Sequence, residues 1–304
     1  MPSFAKNGDV PRTVAIGGSS GLIGGALSAS LEAAGHRVLR LPREGIDPRT
    51  LDGVDAVVNL GGTGIADGRW TAERRRAIRA SRVATTERIV AAMAGTTRKP
   101  RAFLSASAVG YYGNRSEPLT EDAPPGTGFL AEVCEAWERS ALAARDLGIR
   151  TVLLRTGVVL TPRGGALAKM LPAFRAGVGG PIGGGGQGVS WITLDDVVRA
   201  LHHAIGESGV AGPVNVVAPH PIPQRELARA LGRALHRPAF LPLPAAAVKL
   251  LFGRMGEEVL LWGCLARPAR LEASGFRFEH PELSGALAPL LKGSGTVSRP
   301  RNGA

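Results

Sequence analysis

Three glycines at even spacing, Gly18, Gly21 and Gly24, follow a β-branched run at residues 13–16 and precede a helical pattern at 26–34 closed by Gly35. Strand, glycine turn, helix and then a second apolar strand at 38–41 form the start of a unit that grips a dinucleotide. One glycine permits the tight turn. Another lets backbone N–H groups approach a pyrophosphate, and the last lets the helix pack close to the strand. The helix N-terminus then stabilises the phosphate charge. On this reading Gly18, Ser19, Ser20, Gly21, Leu22, Ile23 and Gly24 are cofactor-binding. The alternative is a glycine-rich turn in an ordinary α/β protein, since the chain has 42 glycines.

The residue that meets the adenosine ribose belongs about 20 positions beyond the glycines, where an Asp or Glu would read a 2′-hydroxyl. Here that neighbourhood holds Arg40 and Arg43, with Arg43 closing the second strand and Glu44 beside it. A guanidinium pairs with a 2′-phosphate, so the pattern favours NADP over NAD. Otherwise Arg43 is a solvated loop charge.

These groups need a scaffold. Apolar strands are expected at 55–60, 102–107 and 151–155, separated by helices at 74–93 and 127–147. That alternation predicts a Rossmann-like, doubly wound parallel sheet covered on both faces. In such sheets ligands lie at the carboxyl ends of the strands. Leu60, Gly61, Gly62, Ser105, Ser107 and Arg155 fall there, the first three with Ser105 and Arg155 as cofactor contacts and Ser107 as a catalytic candidate. From about residue 161 the texture changes. Helices are expected at 167–174, 221–240 and 244–252, and the glycine-rich stretch 177–188 suits either a substrate lid or a plain surface loop. The organisation is a leader at 1–11, a dinucleotide-binding domain at 12–160 with later strands from 188–220, a substrate lobe at 161–292 whose end (about 245–292) is a small domain, and a disordered tail at 293–304.

At 304 residues the chain is 44% hydrophobic and 20% charged, which marks a globular protein. The N-terminus lacks a secretory core and no apolar run reaches membrane-spanning length. Cys134 and Cys264 are far apart, with no CxxC partner, so neither a metal nor a disulfide is expected and a reducing cytoplasm fits. The net charge of +12 comes with only 5% aromatic residues, so base-stacking platforms are lacking and no nucleic acid is expected. His202 and His203 are adjacent on a helix and cannot chelate one metal from one face. Asp195 and Asp196 suit a helix start.

Longer motifs resemble one family. Gly-Arg-Trp70-Thr, Ser81-Arg82, Ser105-Ala-Ser-Ala-Val-Gly-Tyr-Tyr-Gly113, Gly128-Phe-Leu-Ala-Glu-Val-Cys-Glu-Ala-Trp-Glu138, Leu154-Arg-Thr-Gly-Val-Val-Leu160 and Ser190-Trp-Ile-x-x-Asp-Asp196 resemble the extended short-chain dehydrogenases/reductases. Within these the chain is similar to the atypical NAD(P)-dependent epimerase/dehydratase-like, cell-division-inhibitor-like subgroup. The stretch 267–291 resembles its C-terminal domain of unknown function. The resemblance implies an NADP-binding epimerase, dehydratase or oxidoreductase acting on a small sugar- or carbonyl-containing substrate, or a non-catalytic NADP sensor. Characterised relatives carry a Tyr-x-x-x-Lys pair on the helix after the fourth strand, and a Ser at the strand end orients the substrate. Here that helix has neither Tyr nor Lys, and Cys134 lies near the lost Lys. Ser107 survives. Either Tyr111 or Tyr112, the two tyrosines, acts as acid/base, or both shape the pocket wall. Lys169, Cys134, Glu132 and Glu138 are weaker candidates, and the tryptophans read as core or pocket walls.

Overall fold

A computed structural model of the chain describes residues 10–292. The expected tail and all but two residues of the expected leader lie outside the described residues. The main sheet has six strands: β1 (Thr13–Gly17), β2 (Arg37–Leu41), β3 (Ala56–Asn59), β4 (Ala102–Ala108), β5 (Arg150–Thr156) and β6 (Gly212–Val216). All pair in parallel, in the order β6-β5-β4-β3-β1-β2. The chain winds outward from β1 to β2 and then returns across β1 to β3. The strand order therefore reverses between β1 and β3, the place where doubly wound sheets bind ligands.

Among the described residues eight helices have ten residues or more: α1 (Leu22–Ala33), α2 (Ala72–Ala94), α3 (Phe129–Leu142), α4 (Gly165–Arg175), α5 (Leu194–Gly206), α6 (Gln224–Leu235), α7 (Ala245–Gly256) and α8 (Leu283–Lys292). Strand side chains alternate between faces. Val14, Ile16, Val58 and Leu104 pack with Leu27 of α1 and Leu201 of α5. Ala15, Val57 and Phe103 pack with Ile89 and Met93 of α2 and Ala141 of α3. A separate core joins Leu167, Leu171 and Phe174 of α4, Leu227 and Leu231 of α6 and Leu287 of α8 with Trp191, which lies just before α5. The C-terminal stretch divides between two cores, because Leu271 and Phe276 belong to the α1 face of the main sheet.

Some elements start or stop where the periodicity did not mark them. The expected helix at 221–240 is confined to 224–235, since Pro223 precedes its first turn and His236 closes it in the left-handed conformation. The helix at 127–147 breaks after Leu142 into a tighter turn, Ala143–Leu147. β2 ends at Leu41, so Arg43 lies two residues beyond the strand. The stretch 177–188 is pinned to the chain beyond α6. Gly183 N–H donates to the Leu243 carbonyl at 2.8 Å, and Leu243 N–H to the Pro181 carbonyl at 2.8 Å. At Gly180 a Cβ would lie 2.0 Å from the Leu241 carbonyl oxygen, so only glycine allows that contact.

The C-terminal stretch also caps α3. Gly128 precedes that helix with φ of 104° and offers no side chain. Glu258 fills the role from the far end of the sequence, its two carboxylate oxygens accepting from Phe129 N–H (3.1 Å) and Leu130 N–H (2.9 Å). A carboxylate there satisfies orphan donors and meets the positive end of the helix dipole. Glu258→Ala is expected to cost about 1–2 kcal/mol, read as a lower urea midpoint with an unchanged slope.

Candidate functional site

The first part of the site is a backbone cradle. Gly18 has φ of 77°, and a Cβ on it would lie 2.7 Å from the Leu60 carbonyl carbon. The glycine turn and the end of β3 thus touch backbone to backbone. At Gly24 a Cβ would sit 2.2 Å from the Gly18 carbonyl oxygen. Gly21 N–H donates to that same carbonyl at 3.0 Å and closes the turn. Gly21 is the residue before α1, which has no side-chain cap and no acidic residue in its first turn. The N–H groups of Leu22, Ile23 and Gly24 in that first turn therefore receive no side-chain cap. Ser19 and Ser20 lie in the turn, and Leu22 packs against Gly164 at the start of α4.

Arg40 and Arg43, the two arginines expected near the ribose, differ in their partners. Arg40 is tied to Glu32 of α1 at 2.7 Å. The Arg43 guanidinium is exposed and engages no partner among the described residues. Arg88 holds the loop by donating to the Arg43 carbonyl at 2.9 Å, and it draws Glu44 toward itself at 3.7 Å.

β3 ends in a polar lock. Asn59 Oδ1 accepts from Gly61 N–H at 3.1 Å, and Asn59 Nδ2 donates to the Thr86 hydroxyl at 2.8 Å. Trp137 Nε1 donates to that hydroxyl from α3 at 2.9 Å. Strand β3, α2 and α3 are thereby fixed around Leu60, Gly61 and Gly62.

The second part lies under β4 and β5, where Ser107 and Arg155 are register partners. Ser107 Oγ donates to Glu138 Oε1 at 2.7 Å. Arg155 meets Glu138 with two parallel bonds, Nε to Oε1 at 2.8 Å and Nη2 to Oε2 at 2.9 Å. Its remaining nitrogen donates to the Tyr112 hydroxyl (3.1 Å) and the Glu121 carbonyl (3.0 Å). The Arg155 side chain is 3% exposed and that of Glu138 7%, so this ion pair is out of water. Burial is the largest single influence and works against the Arg155 charge, but the hydrogen bonds and charge of Glu138, with the Tyr112 hydroxyl, together outweigh it and raise the guanidinium's pKa.

The two tyrosines occupy different surroundings. The Tyr112 hydroxyl donates to Asn215 Oδ1 at 2.7 Å on β6, and burial pushes its pKa up to about 12. Tyr111 is half-buried and its ring lies over Arg155, Cζ to centroid 3.5 Å. Burial raises its pKa, against a pull from Arg155. Ser105 is fully covered, one side-chain pair earlier on the same face as Ser107. Cys134 is buried beside Ser107, and burial pushes its thiol up to about 11, which removes it as a nucleophile near neutral pH. Lys169 donates from α4 to the Ala66 carbonyl at 3.0 Å and lies 3.3 Å from Asp67 Oδ1.

Glu138 is the residue whose importance the sequence understated. Its signal was position: on α3 it falls in the buried stripe with Cys134, Trp137 and Ala141, where a carboxylate needs a partner. Asn59, Thr86 and Asn215 carried no comparable signal, because the side chains they meet, Thr86 with Asn59 and Tyr112 with Asn215, lie 27 and 103 residues apart.

Comparison with known proteins places this geometry. Residues 14–218 match the NAD dependent epimerase/dehydratase family, and residues 243–290 match a domain of unknown function, DUF1731. An epimerase family protein of Mycobacterium tuberculosis is 45% identical over 290 residues, covering 90% of this chain and 96% of that protein. The crystal structure of the human epimerase family protein SDR39U1 with NADPH superposes with a TM-score of 0.86 at 35% identity, over 92% of this chain and 99% of that one. A nucleoside-diphosphate sugar epimerase from Corynebacterium glutamicum superposes with a TM-score of 0.74 at 34% identity, over 93% of this chain and 58% of that one.

Proposed function

The chain belongs to the NAD dependent epimerase/dehydratase family, and on that footing we propose that it holds NADPH and performs proton-coupled redox chemistry on a small sugar- or carbonyl-bearing substrate. The observation that carries the cofactor is the cradle of Gly18 and Gly24, whose space a Cβ would fill, together with an Arg43 guanidinium that has no partner among the described residues. The human relative's NADPH supports the same choice. The glycine turn and the first turn of α1 would take the pyrophosphate, and Arg43 the 2′-phosphate. A nucleoside diphosphate sugar is the substrate class suggested by the Corynebacterium relative. Two free, buried cysteines suit a reducing cytoplasm.

When bound, the dinucleotide supplies or accepts a hydride. Proton movement falls to the protein, and with no Tyr–Lys pair on α3 the assignment rests on Ser107 and Glu138. A substrate hydroxyl gives its proton to Ser107 Oγ as the Ser107 proton passes to Glu138 Oε1, and the same relay reversed protonates a carbonyl oxygen. Arg155 holds the carboxylate in line, and Tyr111, stacked on Arg155, forms the adjoining wall. Tyr112, with its hydroxyl committed to Asn215, is assigned a structural role.

One observation favours a second reading, a cofactor-dependent regulator without turnover: the Ser107 hydroxyl is already bonded within a closed network. Bound NADPH that no carbonyl or nucleotide-sugar substrate consumes would select it. For the cofactor, Arg43→Asp is expected to weaken NADPH binding ten- to a hundredfold, the scale of losing a charge-assisted hydrogen bond, and to leave NADH binding within about threefold. Fluorescence titration of both nucleotides checks it, and equal losses would remove Arg43 from the 2′-phosphate.

A further inference from the structure

Helix α6 carries Arg225, Arg229 and Arg233 at intervals of four residues, and Arg237 follows in the turn beyond it. That spacing sets the three helical arginines on one face, about 6 Å apart along the axis. All four are exposed, and none has an ion pair or a side-chain hydrogen bond among the described residues. The helix dipole accounts for Arg233 in the last turn. It does not account for Arg225, which stands in the first turn, where a cation is unfavourable. Like charges four residues apart also repel, so the stripe costs the free protein stability.

The stripe borders a groove of about 720 Å³, lined by Pro181, Arg229, Arg233, Arg237, Ala239 and Phe240. Backbone contacts fix its walls. His236 closes α6 in the left-handed conformation, and Arg237 N–H donates to the Gly232 carbonyl at 2.9 Å. A Cβ on Gly232 would lie 2.5 Å from the Ala239 Cβ, so glycine there lets the chain fold back over the helix. On the other side, Ile182 N–H donates to Gln224 Oε1 at 2.9 Å, and Arg225 N–H donates to the Gly185 carbonyl at 2.9 Å. These bonds hold the glycine-rich stretch, and Pro181 with it, against α6. Phe240 is 73% exposed beside the guanidinium groups.

Charge decides what covers this face. Residues 293–304 carry Arg299 and Arg301 and no acidic side chain, and residues 1–9 carry one charge of each sign, Lys6 and Asp9. A second copy of the chain brings a net charge of +12. Phe240 is the one aromatic ring among the exposed large hydrophobic side chains of the described residues, so successive bases of a nucleic acid find no stacking platform. An extended peptide matches the stripe, because side chains on one of its faces recur roughly every 6.6 Å, close to the arginine spacing. A guanidinium also pairs with a carboxylate through two parallel hydrogen bonds. We propose that the α6 groove docks an extended acidic segment of another protein, with carboxylates at alternate positions on Arg225, Arg229 and Arg233 and an apolar side chain on Phe240.

The test is fluorescence anisotropy with a short labelled peptide in which Glu alternates with Ser and a Leu ends the run, beside a single-stranded oligothymidylate of equal charge. Wild type should bind the peptide more tightly than the oligonucleotide, and more weakly as salt rises. Arg229→Gln with Arg233→Gln should weaken the peptide about tenfold or more, the scale of a lost charge-assisted hydrogen bond, and Phe240→Ser about threefold. Arg229→Lys with Arg233→Lys, which keeps the charge and loses the fork, should recover part of the loss. The same change of charge on the exposed face of α2, Arg76→Gln with Arg79→Gln, should leave the peptide affinity near wild type. Unchanged thermal midpoints show that the variants are folded. No peptide binding by wild type, or equal losses in the α2 control, overturns the proposal. An oligonucleotide bound as tightly as the peptide overturns it too, and names a nucleic acid as the occupant instead.

Discussion

Arg155→Met is expected to destabilise the protein by about 3–5 kcal/mol, the scale seen when one member of a buried ion pair is removed. The methionine fills the stem of the pocket but leaves Glu138, whose side chain is 7% exposed, with Ser107 as its one remaining partner among the described residues. The Tyr112 hydroxyl and Glu121 carbonyl lose a donor as well. Because the cost lies in the stranded carboxylate, neutralising it should restore stability. The double variant Arg155→Met with Glu138→Gln is expected to recover at least about 1–2 kcal/mol of the loss, a coupling of the size found for contacting buried groups. Urea unfolding of wild type, both single variants and the double variant checks it. Additive losses would mean that Arg155 acts through packing and that the Glu138 pairing contributes little. The comparison also bears on function, since a relay through Glu138 Oε1 requires a carboxylate held ionised and in place.

The cradle was legible in the sequence because it is local. Gly18, Gly21 and Gly24 lie within seven residues, and the strand and helix on either side declare themselves by period. Most of the parallel sheet was legible for the same reason, since β1, β3, β4 and β5 are largely apolar runs, whereas β6, Gly212–Val216, carries Pro213 and Asn215 and did not declare itself. Arg43 is proposed from its distance from the glycines, whereas the engagement of Arg40 by Glu32 in the preceding helix left no trace in the sequence. The network beneath Ser107 draws on β4, α3, β5 and β6, and sequence spacing carries no trace of which side chains meet. The cap on α3 is the extreme case, with Glu258 acting 128 residues from Leu130.

Gly24→Ala is expected to lower NADPH affinity at least a hundredfold, about 2.8 kcal/mol, while Gly25→Ala leaves it near wild type. The two glycines are adjacent in α1, and helix propensity favours alanine at both by about 1 kcal/mol. Their surroundings differ. A Cβ at Gly24 would lie 2.2 Å from the Gly18 carbonyl oxygen, and that neighbour is backbone that also accepts the Gly21 N–H. At Gly25 the nearest atom to a Cβ is the Ser19 carbonyl oxygen at 3.5 Å, an ordinary contact. Alanine at 24 must therefore push the first turn of α1 away from the glycine loop. The N–H groups of Leu22, Ile23 and Gly24 then no longer converge with the turn on one point, and the anion site is lost. Gly25→Ala adds its methyl outside that contact and should raise the thermal midpoint of the free protein. Nucleotide titration together with thermal unfolding of both variants separates the two effects. Equal loss of NADPH binding in both would show that the loop tolerates no change in backbone freedom, and that the close approach at Gly24 is not what builds the site.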